Sequence, residues 1–142
     1  MNEVDKGFLK GMTGYCLKNA YHKLIDHAEA GLEEYDLKVP EFSILAVVQL
    51  NPGITQSKLI DNLYVTRSTA SELVEKLVNR KLIIRKAINR KSHGLELTKK
   101  GDKLFEEAHK KAERSEQKLN QNFTGKEIKE LNSLLLKLAD CL

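Results

Sequence analysis

Hydroxyl and guanidinium groups crowd into one short run, Thr66-Arg67-Ser68-Thr69-Ala70-Ser71, near the start of the segment where the charge of the whole chain collects. Residues 64–93 hold eight Lys and Arg against two Glu, a balance of +6, whereas the full chain of 142 residues carries only +4. Residues 1–39 lean the other way, with five Lys against seven acids, and residues 99–142 interleave ten basic with eight acidic groups, as a solvated helix face does. A middle-weighted basic block is the electrostatic footprint expected of a phosphate-backbone binder. A merely solvated face has the same look, so charge by itself leaves both readings open.

Other chemistries lack their residue sets. Cys16 and Cys141 lie at opposite ends of the sequence, with no CxxC pair and no His at ligand spacing, so neither a zinc site nor a disulfide framework is expected. There is no Gly-rich phosphate loop, no nucleophile elbow and no pair of His or carboxylates at metal spacing. Cys16 with His22 or His27 would be a thiol–base pair with nothing to orient the base. The expectation is a protein that is not an enzyme and requires no cofactor. No window approaches the roughly 18 consecutive apolar residues of a membrane span, and Met1-Asn2-Glu3-Val4-Asp5 lacks the basic end and apolar stretch of a signal peptide. A soluble, cytoplasmic chain without a membrane partner follows as an expectation. At 41% hydrophobic and 31% charged residues it has enough apolar surface for a core, within one domain's length.

The elements that must position the basic block read as mostly helical. Leu17, Tyr21, Leu24, Ala28 and Leu32 recur at spacings of three and four, with Phe8, Met12 and Cys16 extending a neighbouring stripe. One helix over most of residues 5–35 would be about 46 Å long. A compact globule of this length is only about 37 Å across, so the helix overhangs its own domain and calls for a second copy of the chain. After Pro40, Phe42, Leu45, Ala46 and Gln49 share one side of a short helix that Asn51-Pro52-Gly53 stops. Thr55 is placed to cap a second helix with Leu59, Ile60 and Leu63 apolar, and Thr66 a third with Ala70, Leu73, Val74 and Leu77. The tight connection Asn62-Leu63-Tyr64-Val65 between them has the length of a helix-turn-helix. Leu82-Ile83-Ile84 and Leu95-Glu96-Leu97 predict two short strands around the basic tip Asn89-Arg90-Lys91-Ser92-His93-Gly94, a β-hairpin wing. Thr98 can cap a long helix with Leu104, Phe105 and Ala108 on its early apolar face, ending near Asn122. Thr124 and Glu127 form a capping box, with Phe123 and Ile128 at the staple positions. The stripe Ile128, Leu131, Leu134, Leu135, Leu138 and Leu142 then predicts a final helix that pairs with the first helix and with a partner subunit.

In their order and spacing these residues resemble the MarR-type (multiple antibiotic resistance regulator) winged-helix transcription factors over nearly the whole chain. Leu59 to Ser71 resembles the family's helix-turn-helix, and Asn89 to Gly101 its wing signature, an Asp-x-Arg-type tip leading to Leu-Thr-x-x-Gly. The resemblance implies a mainly α fold with a small β-hairpin wing. Residues 1–36 would be an N-terminal dimerisation helix, 37–98 the winged helix-turn-helix, and 99–142 the helices that complete the dimerisation region. It implies a homodimeric repressor on a pseudo-palindromic double-stranded operator, with reading heads about 34–36 Å apart. Arg67 at the recognition helix would make a two-pronged bond to guanine, while Thr66, Ser68, Thr69, Ser71 and Lys76 hold phosphates. For Thr66, capping alone is the plainer role. Arg90 resembles the family arginine that enters the minor groove, with Lys86 and Lys91 on the backbone. Two departures stand out. Asn89 replaces the common Asp, removing a charged partner that could orient the wing arginine, and Lys81 replaces a frequent glycine.

For the switch, the resemblance points to a small aromatic or phenolic ligand in the crevice between dimerisation helices and winged domain, with Tyr15, Asn19, His22, Lys23 and Phe42 as candidates. Ordinary packing is the competing role for each. Cys16, beside Tyr15, resembles the N-terminal cysteine of oxidant-sensing members, where oxidation would put a polar group into a packed seam; Cys141 would approach it if the terminal helices pack together. A winged-helix module that binds proteins instead of DNA is the remaining alternative.

Overall fold

The computed structural model describes residues 4–142. Its helices are α1 (Thr13–Leu32), α2 (Val39–Leu50), α3 (Gln56–Asp61), α4 (Arg67–Asn79), α5 (Lys99–Asn120) and α6 (Gly125–Asp140), with strands β1 (Ile54–Thr55), β2 (Ile83–Ala87) and β3 (His93–Leu97). The threonines at four helix starts act as read from the sequence. Thr55, Thr66, Thr98 and Thr124 each accept a hydrogen bond from the amide three residues on, at 3.4, 3.3, 2.9 and 3.2 Å.

The single N-terminal helix expected over residues 5–35 is instead three pieces. A 3-10 turn at Gly7–Gly11 ends in extended backbone at Met12 (φ −89°, ψ 124°), α1 follows, and a second 3-10 turn covers Glu33–Tyr35. Gly7 at φ +46° and Gly11 are poor helix formers beside that break. Asp36 at φ 50° closes the other end, with the Leu37 amide donating to the Leu32 carbonyl at 3.4 Å. At 20 residues α1 is about 30 Å long and no longer overhangs by length.

α2 is the central helix, and its buried face is Glu41, Ile44, Leu45 and Val48 rather than the predicted Phe42, Leu45, Ala46 and Gln49. The helix packs against α4, α5 and β3 at once, so Leu45 of the expected set is in the core while Phe42, Ala46 and Gln49 are half-buried beside it; Phe42 stacks on Phe105 with ring centroids 5.2 Å apart. Leu59, Val74, Leu77, Leu82, Ile83 and Leu95 complete the core.

The predicted hairpin gains a third strand. β1 pairs with β3, Ile54 opposite Leu95 and Thr55 opposite Gly94, giving the antiparallel order β1-β3-β2. A Cβ on Gly94 would stand 2.6 Å from the Gly53 carbonyl oxygen, so glycine is what allows β1 to approach. Gly101 makes a tighter approach at the start of α5, where a Cβ would stand 2.0 Å from the Leu82 carbonyl oxygen. Thr98 donates its hydroxyl to the Lys81 carbonyl at 2.6 Å and its amide to Leu82 at 3.0 Å. The Leu-Thr-x-x-Gly run is thus the clamp that fixes wing and α5 to the end of α4.

α6 has both halves of its capping box, and Thr124 hydrogen bonds hold the Glu127 carboxyl below its usual range. Yet none of its residues is buried, and it packs at most marginally on any other element. The expected pairing of α6 with the first helix is no more than marginal within the protomer, and Leu142 lies beyond the helix, fully exposed. α5 ends at Asn120, a half-turn before the expected Asn122. No helix among the described residues is long and apolar enough to cross a membrane.

Candidate nucleic-acid interface

α4 buries Ala70, Val74 and Leu77 and turns its first turn outward. Ser68 and Thr69 are exposed and Ser71 is half-buried. The Thr66 hydroxyl, besides capping, meets Thr69 Oγ1 at 2.8 Å and Ser68 Oγ at 3.2 Å, a small hydroxyl cluster at the positive end of the helix. Arg67 is exposed and donates to Asp61 Oδ1 of α3 at 2.7 Å, so the pair presets its direction.

The C-terminal half of α4 is tied down instead. Lys76 Nζ lies 2.7 Å from Oε1 of Glu41, a carboxylate with no exposure at all. The geometry is that of an ion pair rather than an aligned hydrogen bond, and no other donor reaches Oε1. Glu41 Oε2 accepts the Lys38 amide at 2.8 Å. Lys76 therefore neutralises a buried charge on α2, in addition to any phosphate it meets. Arg80 donates to the carbonyls of Asp36 (2.6 Å) and Tyr35 (3.1 Å), anchoring the helix end to the α1–α2 corner. Lys81 sits at φ 59°, with its amide on the Val78 carbonyl (2.9 Å) and the Leu82 amide on that of Leu77 (3.0 Å). This is a Schellman stop, the position where glycine is favoured. A β-carbon is tolerated there at a conformational cost, which explains the glycine otherwise expected at this site.

In the wing, Lys86 pairs with Glu96 across the β2–β3 ladder, and Arg85 with Glu75 and Gln56. Arg90 and Lys91 are exposed at the tip, and their side chains have no hydrogen-bond or ion-pair partner among the described residues. The tip is nevertheless ordered without an aspartate. Asn89 Oδ1 accepts the amides of Lys91 (2.9 Å) and Ser92 (3.0 Å), while the Ile88 amide donates to Ser92 O at 2.9 Å. An amide oxygen thus takes the place in the turn that a carboxylate would fill.

Sequence reading missed three participants. Glu41 was concealed by its charge, although Lys38-Val39-Pro40-Glu41 carries the spacing of a helix start. Arg80 was legible only as one more cation. Tyr64, read from the sequence only as part of the helix-turn-helix connection, is fully exposed beside the head of α4.

A cavity of about 430 Å³ lies between α1, α2 and α5. Of the five effector candidates only Phe42 lines it. Asn19, His22 and Lys23 are exposed on α1 outside the lining, and Tyr15 is half-buried with Lys6 Nζ 5.8 Å from its ring centroid. Tyr21, His27 and Ser115 stand in the wall instead. Cys16 and Cys141 are free and exposed, so no seam packs over Cys16 within the protomer; its thiol donates to the Lys10 carbonyl at 3.3 Å.

A three-stranded wing, a tightly capped helix at its side and an exposed polar first turn define a winged helix-turn-helix. The comparisons agree: a MarR family model matches residues 35–90. The chain is 30% identical over 105 residues to YybA, an uncharacterized HTH-type transcriptional regulator of Bacillus subtilis (strain 168), across 72% of this chain and 70% of that protein. It superposes on the transcriptional repressor CouR bound to a 23-mer DNA duplex with a TM-score of 0.89 at 28% identity, covering 97% and 99% of the two chains. CouR bound to p-coumaroyl-CoA gives a TM-score of 0.88 at 28% identity over 96% and 98%. The chain belongs to the MarR family of winged-helix, DNA-binding transcriptional regulators.

Proposed function

We propose that this chain is a homodimeric repressor of a pseudo-palindromic double-stranded operator, acting in the cytoplasm and released by a small ligand with an aromatic or phenolic group. The observation that carries it is the selective lack of partners at Arg90 and Lys91: the neighbouring wing cations Arg85 and Lys86 are neutralised by glutamates, while the tip is left free on a rigid turn. Arg90 enters the minor groove and Lys91 contacts a phosphate, with Lys86 reaching the backbone only by exchanging Glu96 for a phosphate. Arg67 reads a guanine edge from the first turn of α4, and Thr66, Ser68, Thr69, Ser71 and Lys76 line the phosphates. CouR, 28% identical, is bound to a 23-mer DNA duplex in its structure, which supports duplex DNA as the partner.

Dimerisation falls to residues 1–36 and 99–142, flanking the reading head 37–98. Leu131, Leu134 and Leu136 on α6 and Met12, Leu17 and Tyr21 near or on α1 are exposed apolar groups with nothing in the protomer to cover them. A second copy supplies that cover and sets two heads one helical turn of DNA apart.

In-vitro selection from a random duplex library, followed by titration of the winner at several salt concentrations, tests the reading. An inverted repeat bound with an affinity that falls steeply with salt is expected, and Arg90→Ala should lower the salt slope by about one. Failure to enrich any sequence, with no salt slope, would replace the operator by a protein partner.

A further inference from the structure

Around the reading surface, acids come with cations. Asp61 holds Arg67, Glu41 holds Lys76, Glu75 holds Arg85 and Glu96 holds Lys86. Glu72 is the exception. It is exposed on α4, and its carboxylate has no hydrogen-bond or ion-pair partner among the described residues. On a helix surface the ordinary partner of a glutamate is a cation four residues on. Here that residue is Lys76, whose Nζ lies 2.7 Å from the buried Glu41 carboxylate instead. Arg80, a turn further along, donates to the Tyr35 and Asp36 carbonyls.

At 3.6 residues per turn Glu72 stands about 160° round α4 from both Ala70 and Val74, which are fully buried. It therefore lies on the midline of the face turned away from the core, about 6 Å along the axis from Ser68. A helix that lays its first turn in the major groove carries this carboxylate in with it. Phosphates repel the charge, so on an unrelated duplex it only weakens binding. A base edge with a donor offsets that repulsion. A carboxylate is an acceptor only, and the major groove offers it two donors, N4 of cytosine and N6 of adenine. Guanine presents two acceptors, and thymine an acceptor beside a methyl group. In adenine the acceptor N7 stands next to the amine and repels the second carboxylate oxygen, whereas cytosine presents its amine alone.

We propose that Glu72 is a specificity-determining residue, its carboxylate accepting a hydrogen bond from the N4 amine of a cytosine in the major groove of each half-site. The Lys76–Glu41 pair keeps the carboxylate available by holding the cation that would otherwise neutralise it. This rests on the operator-binding reading above and adds one base to what the recognition helix reads.

In-vitro selection with the full-length natural chain, Glu72→Gln and Glu72→Ala, followed by competition titration of duplexes carrying each base pair at the affected position, tests it. The natural chain should prefer cytosine there by about tenfold. Glu72→Gln should admit adenine beside cytosine, because a carboxamide donates to N7 while accepting from N6. Glu72→Ala should flatten the preference and bind unrelated duplex more tightly, since the charge that phosphates repel is gone. Both variants should melt with the natural chain, because an exposed, unpartnered side chain carries little stability. Identical operators selected by all three proteins would overturn the base contact and leave the operator-binding regulator standing. No enriched sequence with any of the three would overturn both.

Discussion

In the reading head, Leu45, Leu59, Leu77 and Leu95 are at most 1% exposed; in α6, Leu131, Leu134 and Leu136 are between 45% and 69% exposed. Both regions use the same local devices, a threonine cap and a helical stripe. What separates them is where the stripe finds its complement. The head closes on itself, with α2 in the middle and the Thr98–Gly101 clamp fastening the wing, whereas α6 is a capped helix of 16 residues without a core. Isolated helices of that length are marginal in water, so the second region depends on another copy of the chain as the first does not.

The largest expected effect breaks the dependent region alone. Leu131→Lys with Leu134→Lys should weaken dimerisation by roughly 1.5–3 kcal/mol for each leucine, read by sedimentation equilibrium, while the circular dichroism of the head persists. Next comes the reverse, a lesion in the clamp that fastens the head to α5. Gly101→Ala forces a Cβ to within 2.0 Å of the Leu82 carbonyl oxygen and should cost about 3 kcal/mol, seen as a lower denaturant midpoint at unchanged protein concentration dependence. Arg67→Ala should lose about 1–3 kcal/mol of preference for one base pair; equal weakening on every sequence would remove it from base reading. Lys81→Gly relieves the left-handed backbone and should stabilise the head by about 1 kcal/mol, leaving the dimer constant untouched.

The smallest effect concerns pH. Glu127 titrates below its usual range because Thr124 donates to its carboxylate. Its contribution is therefore present above the ordinary carboxylate range and is lost as pH falls through the lowered folded value. Amides of α6 should lose hydrogen-exchange protection before those of α4 on acidification below the ordinary carboxylate range, and Glu127→Gln should remove the difference.

The elements themselves were legible in the sequence wherever a local rule fixed them. Four threonines mark four helix starts, the spacing of Ala70, Val74 and Leu77 marks the buried side of α4, and Leu82 to Leu97 reads as a hairpin because its period changes. Less of the candidate interface was readable. The exposed hydroxyls at the head of α4 and the basic wing tip lie where sequence put them, and Asn89 shows that order in the tip survives the missing aspartate through backbone hydrogen bonds.

Sequence by itself determined the helix starts, the winged-helix order and the concentration of positive charge in residues 64–93, because capping, periodicity and charge act over a few neighbouring residues. Tertiary structure alone decided which cations are free. Lys76 is spent on Glu41 35 positions earlier, Lys86 on Glu96 and Arg80 on the Tyr35–Asp36 corner, and Arg90 and Lys91 are not spent at all. It also decided that α2 is buried on more than one side and that α6 is buried on none. Those outcomes depend on contacts between distant segments, whose strength follows from burial and geometry that no short window of residues encodes.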